Sequence, residues 1–477
     1  MSLVIRRLDL ASQGFLPRSL RGVDLDPTAW YALDEPGARA HPDLDRILSV
    51  ASALRPDVDI FYGDEVVFDP AHLAQARPLL KSSFDLTHLI AQDYVGWMLL
   101  ARGRRLIAYC DSAPDADLCT YGLLLHCARH DARNERVPEA LSVRPTPRIP
   151  LPSQVRRRLL EHWAREAAPD CSFFDGMAPD SLRIQRRLVD PPLVALVVPT
   201  CQATCSVGTA PYRDRPHILN LLESLRDTDW PLDRLSVIVG DDVGDDAIYA
   251  RAWPFEIRRV DTRRSAGDPF NYAAKMNRLW RVAPSEYLVL MNDDLIPQRR
   301  DWLRALMTFA MDPDVGGVGA RLLYPDGKIQ HAGMAGGVMG SCTHVFIGQQ
   351  ASVATYGGWA EVHREWSMVT GAVFATRKSL LERMNGYDER FTLEFNDIDL
   401  CLRMRQMGLR IVYTPFAELT HFESASRGPR RNSPFEIANF LERWRGFLTD
   451  DPAYHPDMVK NTSWVRPEEQ SDAWWRL

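Results

Sequence analysis

The 477-residue sequence lacks features that would place it in several classes of protein. It has no apolar run approaching the roughly 18 residues that cross a bilayer, and its first residues lack the apolar core of a signal peptide. Positive charge is not in excess either: the net charge of -6 argues against general nucleic-acid binding. We therefore predict a cytoplasmic protein that is soluble or peripheral to the inner face of the cell membrane, with no nucleic-acid partner.

Cysteine pairing is also missing. The eight cysteines are spread without a pairing pattern. Three residues separate Cys201 from Cys205, and no second pair or histidine cluster completes a zinc set. We predict reduced thiols. Basic clusters do occur, for example at residues 258–264 and 427–431, and such a cluster is either a solvated face or a site for a diphosphate or an anionic membrane.

The length predicts two domains, or three at most. Apolar content of 45% and charged content of 25% are typical of a globular protein. Pro191-Pro192 marks a change in composition, where we place the main boundary. We predict a smaller α/β domain over residues 1–190, a second domain over residues 191–430, and a helical, aromatic tail over residues 431–477.

From residue 193 onward, fully apolar strands alternate with helices, which is typical of a parallel sheet covered on both faces. Three of these strands end in polar residues: Thr200, Asp241-Asp242 and Asp293-Asp294. The carboxyl ends of parallel strands lie on one rim of a sheet, where such folds bind ligands. We therefore expect these side chains to lie near one another.

Residues 287–297 read Tyr-Leu-Val-Leu-Met-Asn-Asp-Asp-Leu-Ile-Pro, an apolar strand that ends in two adjacent carboxylates. Carboxylates this close repel each other unless a positive charge lies beside them. Mg²⁺ or Mn²⁺ carrying a phosphorylated ligand would supply it. The alternative is that Asp293 and Asp294 only cap the helix that begins near Trp302.

Six motifs follow one another between residues 193 and 430: Val197-Val198-Pro199-Thr200, Asp241-Asp242, Asn292-Asp293-Asp294, Thr370-Gly371-Ala372, Asn396-Asp397-Ile398-Asp399 and His-Phe-Glu-Ser-Ala-Ser-Arg-Gly at residues 421–428. As a set in this order they resemble family 2 glycosyltransferases with the GT-A fold. Residues 323–333, Leu-Tyr-Pro-Asp-Gly-Lys-Ile-Gln-His-Ala-Gly, are similar to the rhamnosyltransferase-like and O-antigen subgroup. The resemblance implies a Rossmann-like α/β domain with a mostly parallel central sheet and helices on both faces.

The region before Pro191 also resembles part of this family. Tyr62-Gly63-Asp64-Glu65 and residues 81–94 look like the back half of a GT-A domain, without a recognisable first nucleotide-binding half. This resemblance implies a degenerate, noncatalytic copy.

The resemblance implies inverting transfer of a sugar from a nucleotide-sugar donor. Asp397 matches the base that takes the proton of the acceptor hydroxyl, although an Asp at a helix start also serves as a cap. Asp294 would hold Mg²⁺ or Mn²⁺ against the leaving diphosphate. His421 matches a position that contacts metal or diphosphate in relatives, although a lone histidine is more often structural.

Seven further residues are implied on the donor side. Asp241 matches the position that reads the base or ribose, Thr200 lies on the loop under the nucleotide, and Arg427 would clamp phosphate oxygens. The others are Arg213, Asn271, Lys275 and Asp293.

Two departures from the family pattern, and the tail, leave questions open. Residues 201–212 are inserted before Arg213, where the nucleotide base should stack, and Asn292 replaces a usual Asp. The tail either packs on the catalytic domain or covers the acceptor site with aromatic side chains: Trp444, Trp464, Trp474 and Trp475.

We expect a metal-dependent inverting glycosyltransferase using a UDP-, dTDP- or GDP-linked sugar and a saccharide or lipid-linked acceptor in surface polysaccharide biosynthesis. A nucleotidyltransferase shares a similar sheet and paired Asp, but the sequence offers no basic Gly-rich signature near the first strand. A noncatalytic scaffold or glycan-binding module is the third alternative, and intact Asp241, Asp294 and Asp397 argue against it.

Overall fold

The structure is a computed structural model. It describes residues 5–10, 15–17, 20, 23–34, 37–69, 72–96, 98–114, 118–145, 150–207, 211–265, 267–423 and 433–468. The chain divides into two compact units, the first made of Met1–Ile184, Pro452–Val459 and Arg466–Leu477, and the second of Gln185–Asp451 and Lys460–Val465. The segment after residue 431 thus contributes to both units.

In the described residues up to residue 186, the strands are β1 (Ile5–Asp9), β2 (Trp30–Asp34), β3 (Arg39–Ala40), β4 (Ile60–Asp69), β5 (His72–Leu79), β6 (Leu99–Arg102), β7 (Asn134–Arg144), β8 (Cys171–Asp175) and β9 (Leu182–Arg186). The helices are α1 (Leu44–Leu54), α2 (Leu86–Ala91), α3 (Gly103–Ser112), α4 (Thr120–Arg129) and α5 (Ser153–Ala167). The main sheet has the order β1-β2-β6-β4-β7-β3, with β5 paired to β4.

The later strands are β10 (Val194–Thr200), β11 (Leu235–Asp241), β12 (Glu256–Asp261), β13 (Tyr287–Met291), β14 (Leu295–Pro297), β15 (Val315–Leu323), β16 (Ile329–His331), β17 (Met334–Val338), β18 (Ser341–His344), β19 (Arg364–Glu365), β20 (Val373–Arg377) and β21 (Arg410–His421). The helices are α6 (His217–Ser224), α7 (Tyr272–Arg281), α8 (Trp302–Ala310), α9 (Lys378–Met384), α10 (Asn396–Gln406) and α11 (Pro434–Thr449).

The sheet of the second unit has the order β12-β11-β10-β13-β20-β15-β21-β14. Its first four strands are parallel, whereas β20 runs antiparallel to both of its neighbours. Strands β10 and β11 are buried nearly throughout because their apolar runs lie inside the sheet rather than on a solvated face. The predicted α/β fold class is confirmed, with a parallel first half and a mixed second half.

The two sheets share one succession of strands. In the second unit β13, β20, β15, β21 and β14 are neighbours in that order, and β16 pairs with β15. In the first unit β2, β6, β4, β7 and β3 follow the same order, and β5 pairs with β4. Each pair also has the same direction in both units. Beyond this repeat, the described part of the first main sheet adds only β1, whereas the sheet of the second unit adds β10, β11, β12 and β19.

Two expectations about the whole chain can be compared directly with the structure. All eight cysteines are described, and none of them forms a disulfide bond. Within the described residues, no helix has the length and apolar character needed to pass through a bilayer.

Candidate functional site

The predicted strand ends meet on one rim of the second sheet. Thr200 and Asp241 are register partners at the ends of β10 and β11. The Thr200 hydroxyl donates a 2.6 Å hydrogen bond to Oδ2 of Asp293, which follows β13. Asp293 and Asp294 do not cap α8, because the N-cap residue of that helix is Asp301. The structure therefore excludes the capping interpretation of the triplet, and the ligand-site interpretation stays a prediction.

The paired carboxylates are electrostatically strained. Burial and the neighbouring charge of Asp294 raise the pKa of Asp293 to about 7, against the opposing effects of Thr200 and Lys275. A raised pKa means that the surroundings disfavour a second negative charge here. A cation bound beside the pair would relieve that repulsion.

Lys275 supplies positive charge near Asp293. Its Nζ lies 2.8 Å from Oδ2 of Asp242 and donates to the backbone oxygen of Thr200 at 3.1 Å. The side chain comes from α7, which packs on β10 and β11. Lys275 therefore joins the ends of these two strands.

Asp241 holds a loop together rather than facing solvent. It is fully buried, and it accepts hydrogen bonds from Tyr249 at 2.5 Å, Gln202 at 2.7 Å and the Val243 amide at 2.7 Å. Burial alone would raise the pKa of Asp241, but these donors outweigh it and lower that pKa. The carboxylate thus fixes the turn after β11 and joins it to the loop that begins at Cys201.

Asp294 lies against His421 on the opposite side of the rim. His421 Nε2 is 3.0 Å from Oδ1 of Asp294. The other ring nitrogen, Nδ1, is 2.5 Å from Oε1 of Gln330, whose amide nitrogen donates to Oε2 of Glu423 at 3.2 Å. Because a carboxylate accepts only, Gln330 must turn its NH₂ toward Glu423 and its oxygen toward His421. Nδ1 therefore carries a hydrogen, which leaves Nε2, beside Asp294, as the ring nitrogen available to a metal.

This arrangement fits a divalent cation with few protein ligands. Among the described residues, no group of three or more His, Cys, Asp or Glu side chains is arranged to hold a metal. Asp294 and His421 supply one oxygen and one nitrogen, and an oriented second ring nitrogen is usual in metal-binding histidines. Mg²⁺ and Mn²⁺ commonly take one or two protein carboxylates and complete their shell with water and substrate phosphates.

Asp397 is held by two backbone amides. Its Oδ2 accepts from Gly371 at 2.7 Å, and its Oδ1 accepts from Ile398 at 2.9 Å. It is the second residue of α10, whose N-cap residue is Phe395, so Asp397 is not the cap. Gly371 leaves room for this contact, because a Cβ added there would lie 3.0 Å from Cβ of Asp397.

A cavity of about 370 Å³ joins these groups. Asn292, His421 and Asp397 all line it, although they are far apart in the sequence. Since His421 contacts Asp294, the structure brings Asp294 and Asp397 to the same cavity region. The described part of the tail lines none of it: Trp444 is buried and Trp464 is half exposed.

Three other predicted residues behave differently. Asn271 is the N-cap residue of α7, where its oxygen accepts from the Ala274 amide at 2.9 Å. The Arg213 side chain is 59% exposed, and its nearest ionic partner is the neighbouring Asp214 at 3.8 Å. Arg427 lies outside the described residues, as do Trp474 and Trp475 of the tail.

The inserted segment packs near the metal-side histidine. Cys205 is fully buried in a small cluster with Ile296 and Phe422, and Tyr212 packs against it. The Tyr212 and Phe422 rings meet edge to face, with 5.8 Å between centroids. Phe422 directly follows His421, so the described ends of the insertion pack against the residue next to that histidine.

Several residues of the site were not identified from the sequence. Gln330 stands in the subgroup motif at residues 323–333, which gave a signal without a role. Gln202 and Tyr249 gave none, because polar residues in loops are common and only the fold brings them to Asp241. His344, which lines the cavity, was missed for the same reason.

Comparisons with known proteins agree with the motifs. Two curated proteins cover 64% of this chain: the uncharacterized protein y4gI of Sinorhizobium fredii, 34% identical, and the O-antigen biosynthesis protein RfbC of Myxococcus xanthus, 31% identical. The matched segment spans 33% and 23% of their lengths, respectively. A solved mannosyltransferase, PcManGT from Pyrobaculum calidifontis in complex with GDP-Man and Mn²⁺, is 22% identical at a TM-score of 0.35, covering 50% of this chain and 59% of that chain.

The sequence model described as "Glycosyltransferase like family 2" matches residues 191–446, which is more than half of the chain. That segment contains β10 to β21 and the two carboxylates of the cavity region, Asp294 and Asp397. The family expected from the motifs is therefore confirmed, and the chain belongs to the family 2 glycosyltransferases.

Proposed function

We propose that the protein is an inverting glycosyltransferase that moves a sugar from a nucleotide-sugar donor to a saccharide or lipid-linked acceptor. One observation carries this proposal: Asp397 and His421, which contacts Asp294, line the same cavity. A carboxylate base and a site for the leaving diphosphate are the two parts that such a transfer requires.

Asp397 acts as the general base. The acceptor hydroxyl oxygen attacks the anomeric carbon from the face opposite the diphosphate, the carbon–oxygen bond to the diphosphate breaks, and the acceptor proton passes to Asp397. The amides of Gly371 and Ile398 fix the carboxylate, and each oxygen keeps a further lone pair for that proton. Direct displacement with one base predicts inversion at the anomeric carbon.

Asp294 and His421 would hold Mg²⁺ or Mn²⁺, which would supply positive charge against the leaving diphosphate. Gln330 accepts the hydrogen of His421 Nδ1 and so leaves Nε2 for the metal. Asp293 accepts a hydrogen bond from the Thr200 hydroxyl, and the charge of Lys275 lowers the pKa of Asp293. We assign these three residues to the diphosphate. Arg427 completes the proposal as a phosphate clamp.

The donor side chains have unequal roles in this proposal. Asp241 positions the nucleotide indirectly, by holding the loops at Gln202 and Val243. Asn271 serves the site by starting α7, the helix that carries Lys275. Arg213 is exposed and remains a candidate for a phosphate or base of a UDP-, dTDP- or GDP-linked donor.

The acceptor is a growing surface polysaccharide or a lipid-linked glycan, and the enzyme works at the cytoplasmic face of the membrane. The relative named for O-antigen biosynthesis supports this choice. So does a 25% match over 108 residues, which covers 23% of this chain and 28% of the relative, to an N-acetylglucosaminyl-diphospho-decaprenol L-rhamnosyltransferase of Mycobacterium tuberculosis.

The first unit is proposed to be a noncatalytic copy of the second. Arg102 pairs with Trp30 in its sheet, as Arg377 pairs with Tyr287 in the other. Counting onward in sequence from those pairs, Gly37 corresponds to Asp294 of the second unit. A copy with glycine at that position lacks the carboxylate assigned above to the metal.

A panel of UDP-, dTDP- and GDP-sugars, with and without Mn²⁺, tests the proposal. Release of nucleoside diphosphate that needs Mn²⁺ and disappears in Asp397→Asn supports it. Pyrophosphate release would instead identify a nucleotidyltransferase, and no release from any donor would favour a noncatalytic glycan-binding protein.

A further inference from the structure

The segment that carries Asp397 has an unfavourable backbone. Phe395, the N-cap residue of α10, has φ of 61°, in the left-handed region. A bulky side chain rarely adopts this conformation, and it persists only where the surrounding structure enforces it. Something outside α10 must therefore hold residues 392–397 in place.

Helix α11 supplies the first of these restraints. Oε1 of Glu436 accepts a hydrogen bond from the Thr392 hydroxyl at 2.8 Å and another from the Leu393 amide at 2.8 Å. Glu436 is only 3% exposed. A buried carboxylate with two donors from one short segment fixes the entry to α10.

An aromatic stack supplies the second restraint. The rings of Phe395 and Phe440 are stacked, with centroids 4.6 Å apart and planes inclined by 17°. Phe440 belongs to α11 and is 2% exposed. The ring of Phe395 is thus held at the residue whose backbone is strained.

The third restraint lies on the far side of Asp397. Asp399 is fully buried and accepts from Arg443 at 2.7 Å and from Trp444 at 3.0 Å, both on α11. It also accepts from Arg403 of its own helix at 2.7 Å. Helix α11 therefore contacts the chain on both sides of the proposed base, before and after Asp397.

The same helix meets a second wall of the cavity. A Cβ at Gly337 would lie 2.3 Å from the backbone oxygen of Leu448, so β17 and α11 approach too closely for a side chain there. The Gly336 amide donates to Asp451, just beyond α11, at 2.7 Å. Strand β17 pairs with β18, whose residues line the cavity. Gly336-Gly337 are thus packing glycines.

We propose that α11 is a positioning helix that sets Asp397 against the acceptor cavity, with Glu436, Phe440 and Arg443 as its positioning residues. This inference rests on the proposed role of Asp397 as base. Loss of one of these contacts moves Asp397 without removing it, so it slows transfer and leaves donor binding intact. A misplacement of about 1 Å can cost roughly a hundredfold in rate.

The test compares Phe440→Ala with Phe435→Ala. Both residues are on α11, but Phe435 is 83% exposed. We expect Phe440→Ala to lower kcat roughly 10- to 100-fold with an unchanged donor KM, and Phe435→Ala to change neither. Hydrogen exchange gives a readout that needs no transfer: the Gly371 amide, which donates to Asp397, should exchange faster in Phe440→Ala only.

Phe395→Gly is a second variant, which tests the same contact if Phe440→Ala fails to fold. Glycine tolerates the left-handed backbone. This change therefore removes the Phe395 ring from the stack and leaves Phe440 and the rest of α11 unchanged. It should reproduce the loss of kcat and of Gly371 protection, and the double variant should add little. The proposal is overturned if Gly371 protection and kcat in Phe395→Gly match those of Phe435→Ala. If the wild type transfers no sugar, the proposed function fails while the exchange result still decides whether α11 positions Asp397.

Discussion

Substitutions at Gln330 and Glu423 test whether their hydrogen bonds orient His421 to bind a metal. In the structure Gln330 accepts from His421 and donates to Glu423. Gln330→Met removes both contacts. A neutral hydrogen bond is worth about 1 kcal/mol and one to a charged group about 1.5–3 kcal/mol. Only part of that energy depends on the metal, so we expect the Mn²⁺ dissociation constant to rise roughly tenfold, within the 10- to 100-fold range for such supporting residues.

The reversed pair is the sharper test. In Gln330→Glu alone, two carboxylates would meet where the present contact is 3.2 Å, and Mn²⁺ binding should weaken. In Gln330→Glu with Glu423→Gln, the new carboxylate accepts from both His421 and the new amide, so binding should return to near the wild-type value. Glu423→Gln alone should have little effect, because an amide oxygen also accepts from Gln330.

Titration of the free Mn²⁺ signal by electron paramagnetic resonance measures these affinities without any reaction. Gln350→Met is the matched control, since Gln350 is exposed. Wild-type affinity in Gln330→Met, or a double variant no better than Gln330→Met, would refute the assignment of Nε2 as the ligand.

Two glycine substitutions make further predictions. Gly337→Ala should reduce the free energy of unfolding by about 1–3 kcal/mol or more, because the added Cβ would lie 2.3 Å from the Leu448 oxygen. Gly340→Ala is the control: its backbone also has a positive φ, but no atom lies near the added Cβ, so it should reduce the free energy of unfolding by less. Urea unfolding of both variants makes the comparison. Gly371→Ala presses on Asp397 at 3.0 Å and should lower kcat severalfold to about a hundredfold without changing Mn²⁺ affinity. Equal unfolding free energies in the first pair, or unchanged kcat in the second case, would contradict these expectations.

Local patterns predicted much of the fold. The apolar periodicity of residues 153–167 predicts an amphipathic helix, and α5 has those bounds. The apolar run at residues 315–323 predicts a strand, and β15 has those bounds. The apolar run at residues 94–100 is compatible with a strand or a buried helix, and the structure has β6 at Leu99–Arg102. That strand is fixed by pairing with β2 and β4, which are distant in sequence, so its extent could not be read locally.

In the candidate site, too, some residues could be predicted from local sequence, whereas others come together only through contacts between distant parts of the chain. Strand ends that finish in carboxylates could be found from sequence because parallel strands share a rim. The contact of Gln330 with His421 joins residues 91 positions apart, and only the pairing of β15 with β16 and β21 brings them together. Asn271 at a helix start is compatible with a cap or a ligand contact, and its geometry in the structure is that of a cap.

The most direct measurement is a crystal structure of the protein with Mn²⁺ and an intact nucleotide sugar. We expect the metal on Asp294 and His421, the diphosphate beside Thr200 and Lys275, and the anomeric carbon facing Asp397. The gap to the carboxylate should admit one acceptor hydroxyl at about 2.6–3.2 Å. A donor bound away from this cavity, or a sugar whose reacting face points away from Asp397, would contradict the assignment of these residues.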